Sequence, residues 1–394
     1  MMRPLKIAII AGEESGDLLG ADLVAALKER LSGQEIQLSG VGGQNLQRLG
    51  LNSLFDPDEI ALMGITAIVA KLPRLISLIG KTATHVIAEK PDCLIIIDSP
   101  DFTHRVARKV RAADPAIPII NYVCPSVWAW RPGRAKAMSD YIDHVLAILP
   151  FEPRVLTELG GPSATYVGHR LAQDPRILDA ASNQSEMEAL RRPGGRKTIL
   201  VLPGSRNGEV RRHAAIFGDA LKVLKQRGMD MEVLLPVTDH VAPLVRSLVK
   251  DWAVQPVLIE GTDAKYQAFA RADAAIAASG TVTLELALSS VPLVSNYRPD
   301  WIAKFISENF VSSWTASLPN LIADAPVVPE FYNAYVRAPM IARQIESLAA
   351  PGLTRSAMLD GFGKIRSAMT TSAPSGRLAA EVVLRYAEKS SARG

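Results

Sequence analysis

The sequence predicts an α/β protein made of two doubly wound, parallel-sheet domains. Two observations predict it. Short continuous apolar runs alternate with helix-period segments along most of the chain, and the runs fall into two series separated by a polar stretch. Continuous apolar runs fit parallel strands covered on both faces. Strand–helix alternation implies right-handed βαβ units. The natural assembly is two Rossmann-like domains facing a central cleft.

The elements follow in order. LKIAIIA (5–11), CLIIID (93–98), PIINYV (118–123) and HVLAIL (144–149) read as strands of an N-terminal domain over 1–171. KTILVL (197–202), EVLLPV (232–237), VLIE (257–260) and AAIA (274–277) read as strands of a second domain over 197–345. DLLGADLVAALKERL (17–31) and AAIFGDALKVLKQRG (214–228) carry helical spacing. Residues 172–196 are polar, contain Pro and Gly and lack a strand, so they read as a linker with a short helix. Residues 346–394 carry only helical patterns, and are expected to pack back on the N-terminal domain or to be exchanged in a homodimer.

Composition narrows the function. Of 394 residues, 48% are hydrophobic and 21% charged, which excludes a disordered or fibrous chain. Lys and Arg total 44 against 40 Asp and Glu, and a net charge of +4 is too small for a dedicated nucleic-acid binder. It suits anionic substrates or an anionic membrane face. Cys93 and Cys124 have neither Cys-x-x-C nor Cys/His ligand spacing, which argues against a disulfide framework or structural zinc. The first apolar run is too short for a signal-peptide core or a membrane span. The expectation is a soluble cytoplasmic protein, with peripheral membrane contact left open.

Ligands of doubly wound sheets bind beyond the carboxyl ends of the strands, and the candidate residues collect there. AGEESGD (11–17) follows the first strand. Gly12 and Gly16 permit a sharp turn and close approach, Ser15 suits a helix cap, and Glu13 and Asp17 flank them. The alternative is a capped turn without ligand. In IIIDSPDF (95–102), Asp98 sits at a strand end and is the candidate general base, while Asp101 fits a helix cap. In PSVWAWRPGRAK, Trp128 and Trp130 suit a sugar or acyl pocket or plain interdomain packing, and Arg131, Arg134 and Lys136 suit a phosphate or a solvated face.

Two loops of the second domain have phosphate-binding character. Gly204 and Ser205 present backbone amides at a helix start, and Arg206 adds a guanidinium fork. Ser279, Gly280 and Thr281 form a similar turn, and Glu285 follows about one helical turn later. That carboxylate fits a ribose diol, or else a nearby Lys or Arg. Finally, Ile65, Ile68, Val69, Leu72, Leu75 and Ile76, with Met63 before them, form an apolar stripe beside basic residues. It fits a membrane surface or acyl chains, or an amphipathic helix covering the sheet.

The motifs AGEESGD, MGI (63–65), IDSPDF, PSVWAWR, FEP (151–153), VGH, LPGSR, ASGT with Glu285, and SLPNL (317–321) occur in this order. In that order the chain resembles the lipid-A-disaccharide synthases over essentially its whole length. The resemblance implies a GT-B fold with the active site between two Rossmann-like domains. It implies transfer from UDP-2,3-diacylglucosamine to 2,3-diacylglucosamine 1-phosphate (lipid X), with inversion, to give a β-1,6 disaccharide and UDP. Asp98 matches the general base. Arg206, Glu285 and Asn320 match residues near UDP, and the 63–79 stripe matches an acyl or inner-membrane contact. No cofactor or metal is implied; Asp56-Pro57-Asp58 has Asp-x-Asp spacing but no strand context. The competing readings are another GT-B UDP-sugar enzyme, such as a soluble-acceptor transferase or a UDP-N-acetylglucosamine epimerase, and a non-catalytic nucleotide or lipid binder.

Overall fold

A computed structural model describes residues 3–60, 65–300, 304 and 313–391, with side chains throughout except at 65–71 and 389–391. The chain forms two compact units, residues 1–169 with 371–394, and residues 170–370.

The first unit is a parallel sheet of seven strands in the order β3-β2-β1-β4-β5-β6-β7. These are β1 Leu5–Ala11, β2 Ile36–Val41, β3 Asn52–Ser53, β4 Cys93–Ile97, β5 Ile119–Tyr122, β6 His144–Ala147 and β7 Ala164–Tyr166. β4, β5 and β6 are buried at every residue. That is why they read as uninterrupted apolar runs. The pleat splits β1 between two cores. Ile7, Ile9 and Ala11 pack under helix α1 (Glu14–Arg30), whereas Ala8 and Ile10 pack under α3 (Ile65–Glu89) and α4 (Pro100–Ala113). The strands of this sheet missed by the sequence reading, β2, β3 and β7, lie at or near the sheet edges, are short or partly exposed, and carry no continuous apolar run; Leu293–Tyr297 and Glu330–Tyr332 of the second sheet are missed as well.

The second unit has six parallel strands in the order β10-β9-β8-β11-β12-β13. They are β8 Lys197–Leu202, β9 Met231–Val237, β10 Val257–Glu260, β11 Ala274–Ala278, β12 Leu293–Tyr297 and β13 Glu330–Tyr332. The order is the same doubly wound one in both units. The strand order reverses between β1 and β4 and again between β8 and β11, which are the switch points where such sheets bind ligands.

Two expectations about the domain edges need correction. Residues 172–196 are not a free linker: Pro175–Leu190 is a helix, α7, packed on α10 (Thr262–Arg271) inside the second unit. Residues 346–370 also belong to the second unit, with the end of α13 (Ala338–Ala349) and all of α14 (Leu353–Met369). Only the last helix, α15 (Ser375–Ser391), returns to the first unit, against α1.

Candidate active site

In the first unit, β1 and β4 pair with Ala11 opposite Ile97, so the loops after them lie side by side. A Cβ on Gly12 would stand 2.6 Å from Ser99 Oγ, so only glycine lets the two loops touch. Asp98 and Ser99 both take left-handed backbone angles, φ 52° and 44°. Such angles in non-glycine residues are strained and collect at functional positions. The Ser15 hydroxyl donates to Asp98 Oδ2 at 3.3 Å. Burial and the Glu13 carboxylate push the Asp98 carboxyl up to about 6, against the Ser15 hydrogen bond. A carboxylate poised near neutral pH suits a general base. It lines a cavity of about 220 Å³ together with His104, Trp130, Arg131 and Arg134.

Both expected helix caps differ from observation. Ser15 lies inside α1, whose N-cap is Glu13, and Asp101 lies in the first turn of α4, whose N-cap is Ser99. Pro100 starts α4 ahead of the apolar period, because its fixed φ suits a first helical position. Asp101 instead approaches Arg134 at 3.7 Å.

Other first-unit candidates serve the scaffold. Asp17 is buried and accepts from the N–H groups of Gly43 at 2.7 Å and Asn45 at 2.9 Å, ordering the chain after β2. Gly16 keeps α1 close to β4, since a Cβ there would sit 3.3 Å from Ile97 Cγ2. Trp128 does not line the Asp98 cavity. Its Nε1 donates to Glu152 Oε1 at 3.4 Å, and its ring packs edge-on against Phe151. Glu152 had no role in the sequence reading. It is buried, accepts from Ile148 and Leu149 N–H groups at 3.1 and 3.0 Å, and burial pushes its carboxyl up to about 7. The one sequence signal for it was a glutamate held between Phe151 and Pro153 just after a strand.

In the second unit, β8 and β11 pair with Leu202 opposite Ala277, and their loops line a cavity of about 550 Å³. Gly204, Ser205, Arg206, Ser279, Gly280, Thr281 and Glu285 all line it. Gly204 has φ 123°, and a Cβ there would lie 2.6 Å from Glu209 Cβ. Arg206 caps α8 (Asn207–Gln226) and pairs with Glu209 Oε1 at 3.1 Å, while the Ser205 N–H donates to Glu209 Oε2 at 3.2 Å. Glu285, in α11 (Thr281–Leu288), accepts from Lys265 Nζ at 2.9 Å and Tyr266 OH at 3.3 Å. Lys265 and Glu209 were missed. Lys265 reaches Glu285 only through the packing of α10 beside α11, which no local spacing reveals.

Asn320 is not on the cavity wall. It is buried in α12 (Leu318–Ala323), donates to Val328 O at 3.0 Å and accepts from Val328 N–H at 2.7 Å. In the apolar stripe, Met63 lies outside the described residues, as do the side chains of Ile65, Ile68 and Val69. Leu72 and Ile76 are exposed at 41% and 56%, whereas Leu75 is half-buried and Leu78 and Ile79 enter the core. Among the described residues no helix is long and apolar enough to cross a membrane, and no three His, Cys, Asp or Glu side chains group as metal ligands.

The family model for lipid-A-disaccharide synthetase matches residues 7–365. The chain is 47% identical over 382 residues to the lipid-A-disaccharide synthase of Rhodopseudomonas palustris (strain ATCC BAA-98 / CGA009), covering 96% of this chain and 95% of that protein. The chain belongs to the lipid-A-disaccharide synthase family. The enzyme of that name from Bradyrhizobium diazoefficiens is 44% identical over 386 residues, with 98% and 97% coverage. Among solved structures, MurG of Acinetobacter baumannii aligns with a TM-score of 0.59 at 13% identity, over 98% of this chain and 100% of that one. The UDP-GlcNAc 2-epimerase of Neisseria meningitidis, solved with UDP-GlcNAc, aligns with a TM-score of 0.57 at 13% identity and the same coverage. These likenesses give the fold, GT-B, which transferases and epimerases share. The sequence relationship separates the two readings and sides with the glycosyltransferase.

Proposed function

We propose that this chain transfers 2,3-diacylglucosamine from UDP-2,3-diacylglucosamine to the 6-hydroxyl of 2,3-diacylglucosamine 1-phosphate, with Asp98 as the base. The acceptor oxygen attacks the anomeric carbon of the donor. The bond to the diphosphate breaks, UDP leaves with the electron pair, and the hydroxyl proton passes to the Asp98 carboxylate. Attack opposite the leaving group inverts the anomeric centre and gives the β-1,6 disaccharide. The observation that carries this reading is the half-buried Asp98 carboxyl at a switch point, hydrogen-bonded to Ser15 and pushed up to about 6 by desolvation and Glu13.

The donor half is supported by the second cavity. The leaving diphosphate needs preorganised positive charge. The Ser205 N–H and Arg206 are placed to supply it, and Glu209 now holds both, so an entering diphosphate displaces that carboxylate. Glu285, oriented by Lys265 and Tyr266, has the acceptor oxygens that a ribose diol needs. The exposed Leu72 and Ile76 support a peripheral seat on the anionic inner membrane, where both lipid substrates reside.

The test is a detergent-micelle assay with both lipids and with EDTA present. UDP release matched by disaccharide is expected, and Asp98→Asn should abolish turnover while UDP affinity survives. UDP binding without turnover on any lipid acceptor would leave only a nucleotide binder. Normal turnover in Asp98→Asn would remove the aspartate from the mechanism.

A further inference from the structure

The cavity that holds Asp98 also holds two guanidinium groups with unused donors. Among the described residues, neither Arg131 nor Arg134 donates a side-chain hydrogen bond. Arg134 has one carboxylate within 4 Å, that of Asp101 at 3.7 Å, and Asp101 is itself largely in solvent. Arg134 is nonetheless mostly buried, with 21% of its side chain exposed, and its charge is felt by His104 on the same cavity wall. Arg131 pairs with no carboxylate among the described residues. Its guanidinium stacks on the Trp130 ring at 4.1 Å. Stacking uses the face of the guanidinium plane and leaves the N–H groups on its edge free. Arg131 is itself exposed, and its backbone is left-handed, φ 54°, an uncommon conformation for a non-glycine residue.

Each guanidinium carries five N–H donors in a fixed fork. The mostly buried donors of Arg134 call for an acceptor, and the exposed Arg131 opens onto the same cavity. Two forks lining one cavity match the oxygens of a phosphate monoester better than a sugar hydroxyl or an amide. We infer that Arg131 and Arg134 bind the 1-phosphate of the acceptor, and so restrict the acceptor to phosphorylated glucosamine lipids. This inference rests on the transferase reading. It adds that one cavity holds both the base for the 6-hydroxyl and the group that reads the opposite end of the same sugar. The donor diphosphate has its own loops in the second unit, so the two anions are read by different residues.

The test pairs two acceptors with and without the 1-phosphate, and two variants, Arg131→Met and Arg134→Met, with Arg134→Lys as the charge-retaining control. The wild type should prefer the phosphorylated acceptor. Each Met variant should raise KM for it about tenfold or more, as expected for a lost charge-assisted contact, with kcat and UDP affinity little changed. Turnover of the dephosphorylated acceptor should fall much less than that of the phosphorylated one, so the preference collapses; Arg134→Lys should restore part of it. Equal losses on both acceptors, or an unchanged preference, would overturn the inference. Glucosamine 1-phosphate provides a readout independent of turnover. By calorimetry the wild type should bind it more tightly than glucosamine or inorganic phosphate, and the Met variants should lose that difference. Arginine-dependent headgroup binding in a protein that transfers to neither lipid would sustain this site and remove the transferase reading instead. Headgroup binding indifferent to both arginines would remove the site.

Discussion

At Asp98 the mechanism depends on where one proton sits. The base works only when ionised, so turnover should fall as pH drops through about 6. Two neighbours move that limb in opposite directions. The Glu13 carboxylate raises the Asp98 pKa by repulsion, so Glu13→Gln should carry the acid limb to lower pH. The Ser15 hydroxyl stabilises the ionised form, so Ser15→Ala should carry it to higher pH. The kcat/KM profile at saturating donor reads both shifts. A common direction for the two variants would mean that neither acts through Asp98. The position of Asp98 was legible, because a strand end followed by Ser-Pro is a local signal. Its proton affinity was not, because Glu13 and Ser15 meet it only after β1 and β4 pair.

Two helices behave differently from their sequence patterns. α3 reads as one apolar stripe, yet the structure divides it. Leu78, Ile79, Ala83 and Val86 enter the core, whereas Leu72 and Ile76, one turn apart, face solvent. Arg74 is held by Glu59 at 2.7 Å, which draws its charge away from that face. Leu72→Ser with Ile76→Ser should therefore weaken cosedimentation with anionic vesicles and leave thermal stability within a few tenths of a kcal/mol, since neither side chain is buried. Unchanged vesicle binding would place the membrane contact elsewhere. α7 shows the converse. It looks like a linker because it buries few side chains, Ile177, Ala180 and Gln184. Gln184 is buried and donates to Phe269 O at 2.7 Å and Ala272 O at 2.8 Å. Glu188 is gripped by the fully buried Arg355 at 2.7 Å and by Arg191 at 3.0 Å, and Arg191 also pairs with Asp273 at the start of β11. Hydrophobic periodicity cannot detect a helix anchored by such groups.

For the whole chain, the last helix decides whether the first unit is complete. α15 contributes Ala379, Ala380, Val382, Val383, Leu384 and Ala387 to the core beneath α1. Arg377 and Glu381 add ion pairs to Glu29 at 2.7 Å and Arg30 at 3.1 Å. Burying that apolar set is worth on the order of 5–10 kcal/mol, comparable with the whole stability of a domain. Truncation after Thr370 should therefore make residues 1–169 protease-sensitive and abolish turnover, while residues 170–370 keep their affinity for UDP. A truncated chain with an intact first unit would mean that α1 is sufficiently covered without α15. Helical patterns alone leave the whole tail either packed on the N-terminal domain or exchanged in a homodimer. Which helix joins which sheet depends on complementary surfaces, and α14 is claimed by Arg355.

The amino-acid sequence alone determined the two sheets, their central strands, the four loops at the switch points and the acid at the end of β4. These are local properties. A parallel strand buried on both faces must be mostly apolar, and a loop that turns sharply at its end needs small residues. Tertiary structure decided what the polar side chains do. It gave Asp17 and Asn320 to the scaffold, paired Glu285 with Lys265 and Glu209 with Arg206, and left the Arg131 and Arg134 donors free beside the base. Hydrogen bonds and charge interactions act over a few ångströms of space, and residues far apart in the chain reach that distance only when the sheets have formed.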